Sequence, residues 1–176
     1  ERSAELWEFL AQPAAELKLR TRIHGVRYPL GARQRLQDVG IDYGGWIANY
    51  RVPEVFARHR VTMHNTRRPY VEALPGIPTI RPFEALACGI PLVSAPWEDS
   101  DGLFHAGEDY LVARDGREMK RRLRELLFDT DLAQAVAAHG RGTILRRHTC
   151  AHRVDELLAV CRELRMPPAT LKDDDH

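Results

Sequence analysis

The sequence has few of the features that mark extracellular or membrane proteins. Its three cysteines (Cys88, Cys150 and Cys161) show no CxxC or zinc-finger spacing. Their small and odd number favours a reducing, cytoplasmic setting. No apolar run approaches the roughly 20 residues that a membrane span needs. The first residues, ERSAELWEFL, show no signal-peptide pattern. The sequence therefore predicts a cytoplasmic protein with no transmembrane segment.

Net charge is also nearly absent, because 26 basic and 25 acidic residues leave a formal charge of +1. This balance argues against a polybasic nucleic-acid binder, and the 44% hydrophobic content argues against an acidic disordered chain. A length of 176 residues is typical of one compact domain. We predict one domain over residues 1–165 and a polar, disordered tail over residues 166–176.

The sequence does contain a regular alternation of short strands and helices. Strands are predicted at residues 21–26, 41–47, 60–64, 90–95 and 110–113. Helices are predicted at residues 3–11, 14–19, 32–39, 52–59, 79–88, 101–105, 115–128, 130–146 and 150–165. Apolar strands separated by helices predict an α/β fold, with a parallel sheet flanked by helices and closed by the C-terminal helices. In such folds ligands bind at the carboxyl ends of the strands.

The segment from Gly76 to Gly89 has the strongest signal for a ligand site. Gly76 lets a ligand approach the backbone closely. The helix that begins near Thr79 and Ile80 offers unpaired amides and a positive dipole end, which together favour a phosphate. Arg81 adds charge-assisted bonds to a diphosphate, and Glu84 can accept hydrogens from two ribose hydroxyls. The spacing equally allows an ion pair between Arg81 and Glu84, and the pattern alone does not decide between the two.

Four further residues near this segment have two interpretations each. His64 ends a predicted strand, so it either touches a sugar or phosphate or packs against its neighbours. Arg67 and Arg68 follow on a loop, where they either bind a diphosphate or an anionic acceptor or stay solvated. Cys88 lies in an apolar helix and is predicted to be a core residue, not a nucleophile.

Two patterns resemble metal-binding motifs, but neither predicts a metal. The run Asp99-Ser100-Asp101 has D-x-D spacing, yet its context favours helix capping or solvent exposure. His148 and His152 are four residues apart without an evident third ligand, so Thr149 is predicted to cap a helix there. We predict no metal site.

The run EALACGIPLV, from Glu84 to Val93, resembles the nucleotide-sugar-binding block of GT-B glycosyltransferases. The R-x-F-E form of its start is most similar to the spore-maturation-protein-like (CgeB-type) group of these enzymes. The similarity extends upstream through GWIANYRVPEVFARHRVTMH and downstream through GEDYLVARDGREMKRRLRELL to HTCAHRVDELL, and it covers residues 5–165. It implies a Rossmann-like sheet that forms the C-terminal half of the GT-B fold.

The resemblance also implies a donor site. Glu84 would bind the ribose, the amides from Gly76 to Ile80 would hold the diphosphate with Arg81, and the turn at Trp46 would read the base. With the flanking candidates, the predicted site comprises Trp46, Ile47, His64, Arg68, Gly76, Thr79, Ile80, Arg81 and Glu84. The donor would be a nucleotide-diphosphate sugar, such as a UDP-sugar, used as a substrate, with no metal and no cofactor.

The chain departs from the family in two respects. Many retaining members carry a second glutamate eight residues before the ribose-binding one, and Gly76 stands there, so the catalytic residues and the anomeric outcome stay open. The length matches the donor-binding half alone, beginning after its first strand, with the acceptor pocket in an N-terminal domain. We expect this half to bind donor weakly without turnover. The acceptor (glycan, lipid or protein) is not implied. An epimerase-like enzyme and a non-catalytic module are the alternatives.

Overall fold

The computed structural model describes residues 2–65, 73 and 76–164, and the predicted tail at residues 166–176 lies outside them. Helices and strands alternate along this part of the chain. In order, the elements are α1 (Arg2–Leu6), a π-helical turn (Trp7–Ala11), α2 (Gln12–Glu16), β1 (Thr21–His24), α3 (Leu30–Asp38), β2 (Ile41–Gly45), a 3-10 turn (Asn49–Arg51), α4 (Val52–Phe56), β3 (Thr62–His64), α5 (Ile80–Ala87), β4 (Leu92–Ser94), β5 (Leu111–Val112), α6 (Gly116–Phe128), α7 (Thr130–Arg147) and α8 (Cys150–Glu163).

All strand pairs in the described residues are parallel, which confirms the predicted α/β class. Strand β1 pairs with β2, with Thr21 opposite Ile41. Strand β4 lies between β3 and β5, with Val93 opposite Leu111. The strands form two separate sheets of two and three strands, and no ladder joins β1 to β3 in the part that the structure describes.

Three clusters of buried side chains hold the helices against these sheets. The first core includes Val52, Phe56, Leu86, Leu92 and Ile144. The second core joins β4 and β5 to α6 and α7, and it consists of Val93, Leu111, Ala113, Met119, Leu123, Leu126 and Val136. The third core includes Ala11, Ile23, Leu36 and Ile41. Strand β4 is fully buried on both faces, which explains its continuous apolar run.

The predicted short helix at residues 101–105 does not form. The Asp99 carboxylate instead accepts the backbone N–H of Leu103 at 3.0 Å and that of Phe104 at 2.8 Å. These bonds stabilise a turn, because a short acidic side chain competes with helix formation for nearby amides.

Two expectations about apolar segments are also corrected. Cys88 is exposed instead of lying in the core, because it is the C-cap of α5 and the buried side of that helix is formed by Pro82, Ala85 and Leu86. Helix α8 carries apolar residues at helical spacing, but no described residue in it is buried. No helix within the described ranges is long and apolar enough to span a membrane.

Candidate functional site

The carboxyl end of β3 meets the beginning of α5 at a large cleft. The cleft has a volume of about 850 Å³. At this end it is lined by Ile47, His64, Asn65, Ile77, Pro78, Thr79, Ile80 and Arg81. The position agrees with the general rule that parallel sheets bind ligands where strands run into helix N-termini.

His64 forms the centre of a hydrogen-bonded chain that joins the two strands to α5. Its Nδ1 lies 2.9 Å from Ser94 Oγ, and its Nε2 lies 2.8 Å from Thr79 Oγ1. The Ser94 hydroxyl donates to the carbonyl of Ala95 at 2.7 Å. Since that hydroxyl proton is already used, Ser94 accepts from His64 Nδ1–H. The Nε2 atom then accepts from the Thr79 hydroxyl.

These hydrogen bonds require that the imidazole of His64 is neutral. Burial, and next the positive charge of Arg81, lower the pKa of His64 from 6.5 to about 4. The Thr79 hydroxyl is turned towards His64 and does not cap α5, although Thr79 is the N-cap residue. The first amides of α5 therefore have no side-chain partner from their own N-cap, and they form the donor-rich end of the helix that an anion prefers.

Arg81 and Glu84 lie on consecutive turns of α5 and form an ion pair. Arg81 Nη1 and Glu84 Oε2 are 2.7 Å apart, and the two side chains are 40% and 18% exposed. Oε2 is also buried, and it makes no hydrogen bond beside this ion pair. The ion pair expected as the alternative interpretation is thus present, and it leaves one oxygen of Glu84 with unused accepting capacity.

The remaining predicted site residues lie around this centre. Gly76 has a φ of +81°, and the Ser100 side chain fills the space that a Cβ would need there. Trp46 is 72% exposed on the turn after β2, and Ile47 next to it packs against the first core. Arg68 lies outside the described residues, as does Arg67.

The structure therefore brings together part of the predicted set. The cleft is lined by Ile47, His64, Thr79, Ile80 and Arg81. Trp46, Gly76 and Glu84 are not among the described residues that line it. Sequence reasoning missed Ser94, which lies opposite His64 in the parallel ladder. The signal for it was a polar residue at the carboxyl end of an otherwise apolar strand.

The side chains in the two metal-like motifs have other partners. Asp99 accepts the two backbone amides of its turn. The Nε2 of His148 donates to the Leu103 carbonyl at 2.9 Å, and the Nδ1 of His152 lies 2.6 Å from Thr149 Oγ1. Across the described ranges, no group of three or more His, Cys, Asp or Glu residues is placed to hold a metal ion.

The fold is similar to several solved structures. Sucrose-phosphate synthase from Thermosynechococcus elongatus gives a TM-score of 0.75 at 15% identity, over 94% of this chain and 43% of that one. Anabaena Alr3699/HepE, solved in complex with UDP-glucose, gives 0.69 at 15% identity, over 86% of this chain and 44% of that one. A glycosyltransferase from Rickettsia africae gives 0.70 at 11% identity, over 94% and 45%. Such low identities show the fold alone.

The chain spans less than half the length of each of these three solved structures. Comparison with curated proteins finds no match. The family described as glycosyl transferase-like matches residues 2–159, which include both sheets, α5 and the cleft. The chain therefore belongs to the glycosyl transferase-like family.

Proposed function

We propose that this chain is the donor-binding half of a metal-independent GT-B glycosyltransferase. It would bind a nucleotide-diphosphate sugar, in our proposal a UDP-sugar, for transfer to a glycan, lipid or protein acceptor held by a second, N-terminal domain. Family membership supports the transferase class, and the similar fold of HepE, solved with UDP-glucose, supports the donor class. The R-x-F-E run supports the spore-maturation-protein-like group, and the few cysteines support a cytoplasmic location.

The buried Oε2 of Glu84, which is paired with Arg81 but makes no hydrogen bond, is the observation that carries this proposal. A buried carboxylate oxygen without a hydrogen bond costs free energy, so it favours a ligand that supplies a donor. The 2′- and 3′-hydroxyls of a ribose supply two adjacent donors. Arg81 already balances the charge of Glu84 at 2.7 Å, so a ribose hydroxyl adds the missing hydrogen bond to Oε2 without changing the charge of the pair.

The diphosphate in this proposal lies at the beginning of α5. The uncapped amides of Ile80 and Arg81 point their dipoles towards the cleft end of the helix. The side chain of Arg81 is 40% exposed, and its contact with Glu84 is made by Nη1, so the other N–H groups of the guanidinium can bind a phosphate while the ion pair stays in place. Helix dipole and guanidinium together would stabilise the leaving diphosphate, in the role that a metal ion serves elsewhere.

The base in this proposal is read at the turn after β2. Trp46 offers an exposed aromatic face there, and aromatic faces stack on bases with little dependence on sequence. Ile47 adds an apolar contact at the lining of the cleft. The arrangement leaves recognition of the particular base to backbone groups of the same turn.

Catalytic groups are not part of the proposed site in this chain. Gly76 stands where many retaining enzymes of this kind have a second carboxylate, so the described site provides binding and leaving-group stabilisation. Since the chain spans less than half the length of its solved neighbours, we propose that the acceptor and the general base belong to the other half. The isolated chain then binds donor without turning it over.

Calorimetric titration with UDP, GDP, ADP and dTDP tests this function. We expect one nucleotide to bind and Glu84→Gln to weaken that binding at least tenfold, which is about 1.4 kcal/mol. The matched control is Glu156→Gln, an exposed glutamate on α8 that also pairs with an arginine, and it should bind as the parent does. The proposal fails if none of the four nucleotides binds the folded chain, or if Glu84→Gln binds as tightly as the parent.

A further inference from the structure

Three histidines line the cleft among the described residues, and His24 differs from the other two. A ring nitrogen of His59 lies 2.7 Å from the Val55 carbonyl. Both ring nitrogens of His64 have hydroxyl partners, at 2.9 Å and 2.8 Å. Both ring nitrogens of His24 are buried without a hydrogen-bond partner, and no other side chain in the described part of the chain has two such atoms. The free protein therefore makes no use of the polar atoms of this ring.

His24 lies beside the turn at which we propose that the base is read. It is the last residue of β1 and stands opposite Gly45 in the parallel register with β2. Gly25 N donates to the Gly45 carbonyl at 2.9 Å, so the ends of the two strands are joined there. Trp46 follows directly along the chain. His24 and Ile47 line the same cleft, so the ring belongs to the end of the site that would hold the base.

A glycine on β2 leaves the space that this ring occupies. A Cβ at Gly44 would lie 2.5 Å from His24 Cε1, 2.9 Å from its Nδ1 and 3.0 Å from its Nε2. These distances are well inside van der Waals contact, so a larger residue at position 44 would displace the ring. Gly44 is not among the glycines with a positive φ. The glycine is therefore needed for the His24 ring and not for the conformation of the backbone.

The ring can present a nitrogen to the cleft without a change in the backbone. The torsion about Cβ–Cγ of a histidine is soft, since it joins a tetrahedral carbon to a planar ring. Residue 44 has no side chain that would block this rotation. A buried polar atom without a partner costs free energy. A ligand in the cleft that offers an acceptor therefore favours the rotated ring of His24.

A nucleotide base supplies the acceptor that this ring lacks. A histidine ring carries at least one N–H in either protonation state, so it can always donate a hydrogen bond. Uracil has carbonyl oxygens on the edge of its ring, and these accept such a bond. Stacking on Trp46 would hold every base in a similar way, because each base has a π-face. A polar side chain at the edge of the base adds affinity that stacking alone does not provide.

We propose that His24 binds the base of the donor nucleotide, by donating a ring N–H to a carbonyl oxygen of that base. The contact depends on the proposed donor function, because that function places the base at the turn after β2. It adds one side chain to the backbone groups of the turn. The contact involves the base alone, so it is independent of the ribose at Glu84 and of the phosphates at Arg81.

Titration with UMP and with ribose 5-phosphate, which lacks the base, tests this contact through backbone amide shifts. We expect His24→Leu to weaken UMP binding by about fivefold or more, the effect of one lost hydrogen bond, and to change ribose 5-phosphate binding by less than about twofold. His59→Leu, at a second histidine of the cleft, is the matched control and should bind both ligands as the parent does. If His24→Leu binds UMP as tightly as the parent, or weakens both ligands equally, the base contact is overturned while the donor site stands. If the parent binds neither UMP nor UDP, the proposed function is overturned as well.

Two further measurements separate base binding from a structural role of the ring. Since the nitrogens of His24 make no hydrogen bond in the free protein, His24→Leu should unfold at the temperature of the parent or above it. A lower unfolding temperature with unchanged UMP affinity would overturn the base contact. The other measurement needs no variant, because nitrogen NMR of the isotopically labelled parent reports on the ring itself. Saturating UDP should shift the ring nitrogen resonances of His24, and resonances that stay in place overturn the contact.

Discussion

The buried, neutral ring of His64 determines which hydrogen bonds Thr79 and Ser94 make with it. Its ring accepts a hydrogen from Thr79 and donates one to Ser94, so it fixes the beginning of α5 against β4. A protonated ring has two donors and no acceptor. Protonation would therefore break the bond from Thr79 and place a second positive charge beside Arg81, which already lowers the pKa of this histidine.

The depressed pKa of His64 predicts a pH dependence of stability. The folded value is about 4 against an ordinary value of 6.5, so the unfolded chain takes up the proton first as pH falls. The contribution of His64 is complete above pH 6.5, declines between pH 6.5 and 4, and amounts to about 3 kcal/mol over that window. Urea unfolding of the parent and of His64→Gln at several pH values measures it.

The expected result is a parent whose free energy of unfolding falls more steeply than that of His64→Gln between pH 6.5 and 4. His59→Gln is the control, because His59 is a partly buried histidine whose ring bonds to the Val55 carbonyl at 2.7 Å. It takes no part in the hydrogen bonds around His64. Parallel curves for the parent and His64→Gln would show that burial does not hold this ring neutral.

For single residues, the sequence predicts the element in which a residue lies better than it predicts the residues that it contacts. Because Arg81 and Glu84 are three residues apart on one helix, the sequence predicts an ion pair between them as one of two interpretations, and that ion pair is present. Ser94 was missed because its contact with His64 joins residues thirty positions apart through the ladder of β3 and β4. The prediction of Cys88 as a core residue was wrong, since the sequence does not specify where α5 ends relative to its buried face.

At the scale of elements, α5 and α7 approach each other closely at Gly140. A Cβ at this position would lie 2.6 Å from Leu86 Cδ2 and 2.7 Å from the backbone oxygen of Asp109. The backbone oxygen has no freedom to move away as a side chain would. Gly140 therefore allows the crossing that places α5, and with it Arg81 and Glu84, against the sheet.

Alanine substitutions at two glycines of α7 distinguish packing from helix propensity. Gly140→Ala should destabilise the protein by about 1–3 kcal/mol, because the helices must separate to admit the methyl group. Gly142→Ala should be neutral or stabilising by up to about 1 kcal/mol, since its Cβ would meet only the end of the Arg146 side chain within 4 Å. Thermal unfolding measures both, and equal effects at the two positions would contradict the account.

Asp109 connects the segment before β5 to α7. Its carboxylate is fully buried and accepts hydrogens from the His105 amide, the His139 ring and the Thr143 hydroxyl, each at 2.7 Å. An asparagine has one oxygen instead of two, so it must leave one of these donors facing its own amide group.

Asp109→Asn should accordingly lower the free energy of unfolding by about 1–3 kcal/mol, the cost of an unsatisfied buried donor. Asp101→Asn is the control, because Asp101 is an exposed aspartate and should stay within about 0.5 kcal/mol of the parent. Chemical denaturation gives both values. If Asp109→Asn leaves the free energy of unfolding unchanged, the buried carboxylate is not needed to accept all three hydrogen bonds.

The predicted helices and strands are correct where a local run of residues determines the element. They are wrong or incomplete where contacts with other residues determine it. Residues 90–95 and 110–113 contain β4 and β5, because continuous apolar runs mark buried parallel strands. Residues 101–105 are not helical, because Asp99 bonds to their amides. The absence of a ladder between β1 and β3 in the described residues was not predictable from these runs, since strand pairing depends on chain that lies far apart in sequence.

Across the whole molecule, the buried cores and the exposed apolar side chains of α8 lie in different elements. The three cores lie around the sheets, whereas α8 has apolar side chains and no described buried residue. Leu123 is completely buried in the second core, and Leu157 of α8 is 62% exposed. The fold should therefore depend on α6 far more than on α8.

Two leucine truncations test this distribution. Leu123→Ala should lower the free energy of unfolding by about 2–5 kcal/mol, through lost burial and a residual cavity. Leu157→Ala should change it by less than about 0.5 kcal/mol. Urea unfolding of both variants gives the comparison, and a large loss at Leu157 would show that α8 is packed in solution.

Backbone amide shifts during a titration with UDP test the proposal that a nucleotide binds where β3 and the start of α5 meet. We expect the largest shifts from Thr79 to Glu84 and at Ile47, and we expect them to be lost in Glu84→Gln. Shifts confined to α7 and α8, or no shifts at saturating UDP, would contradict it.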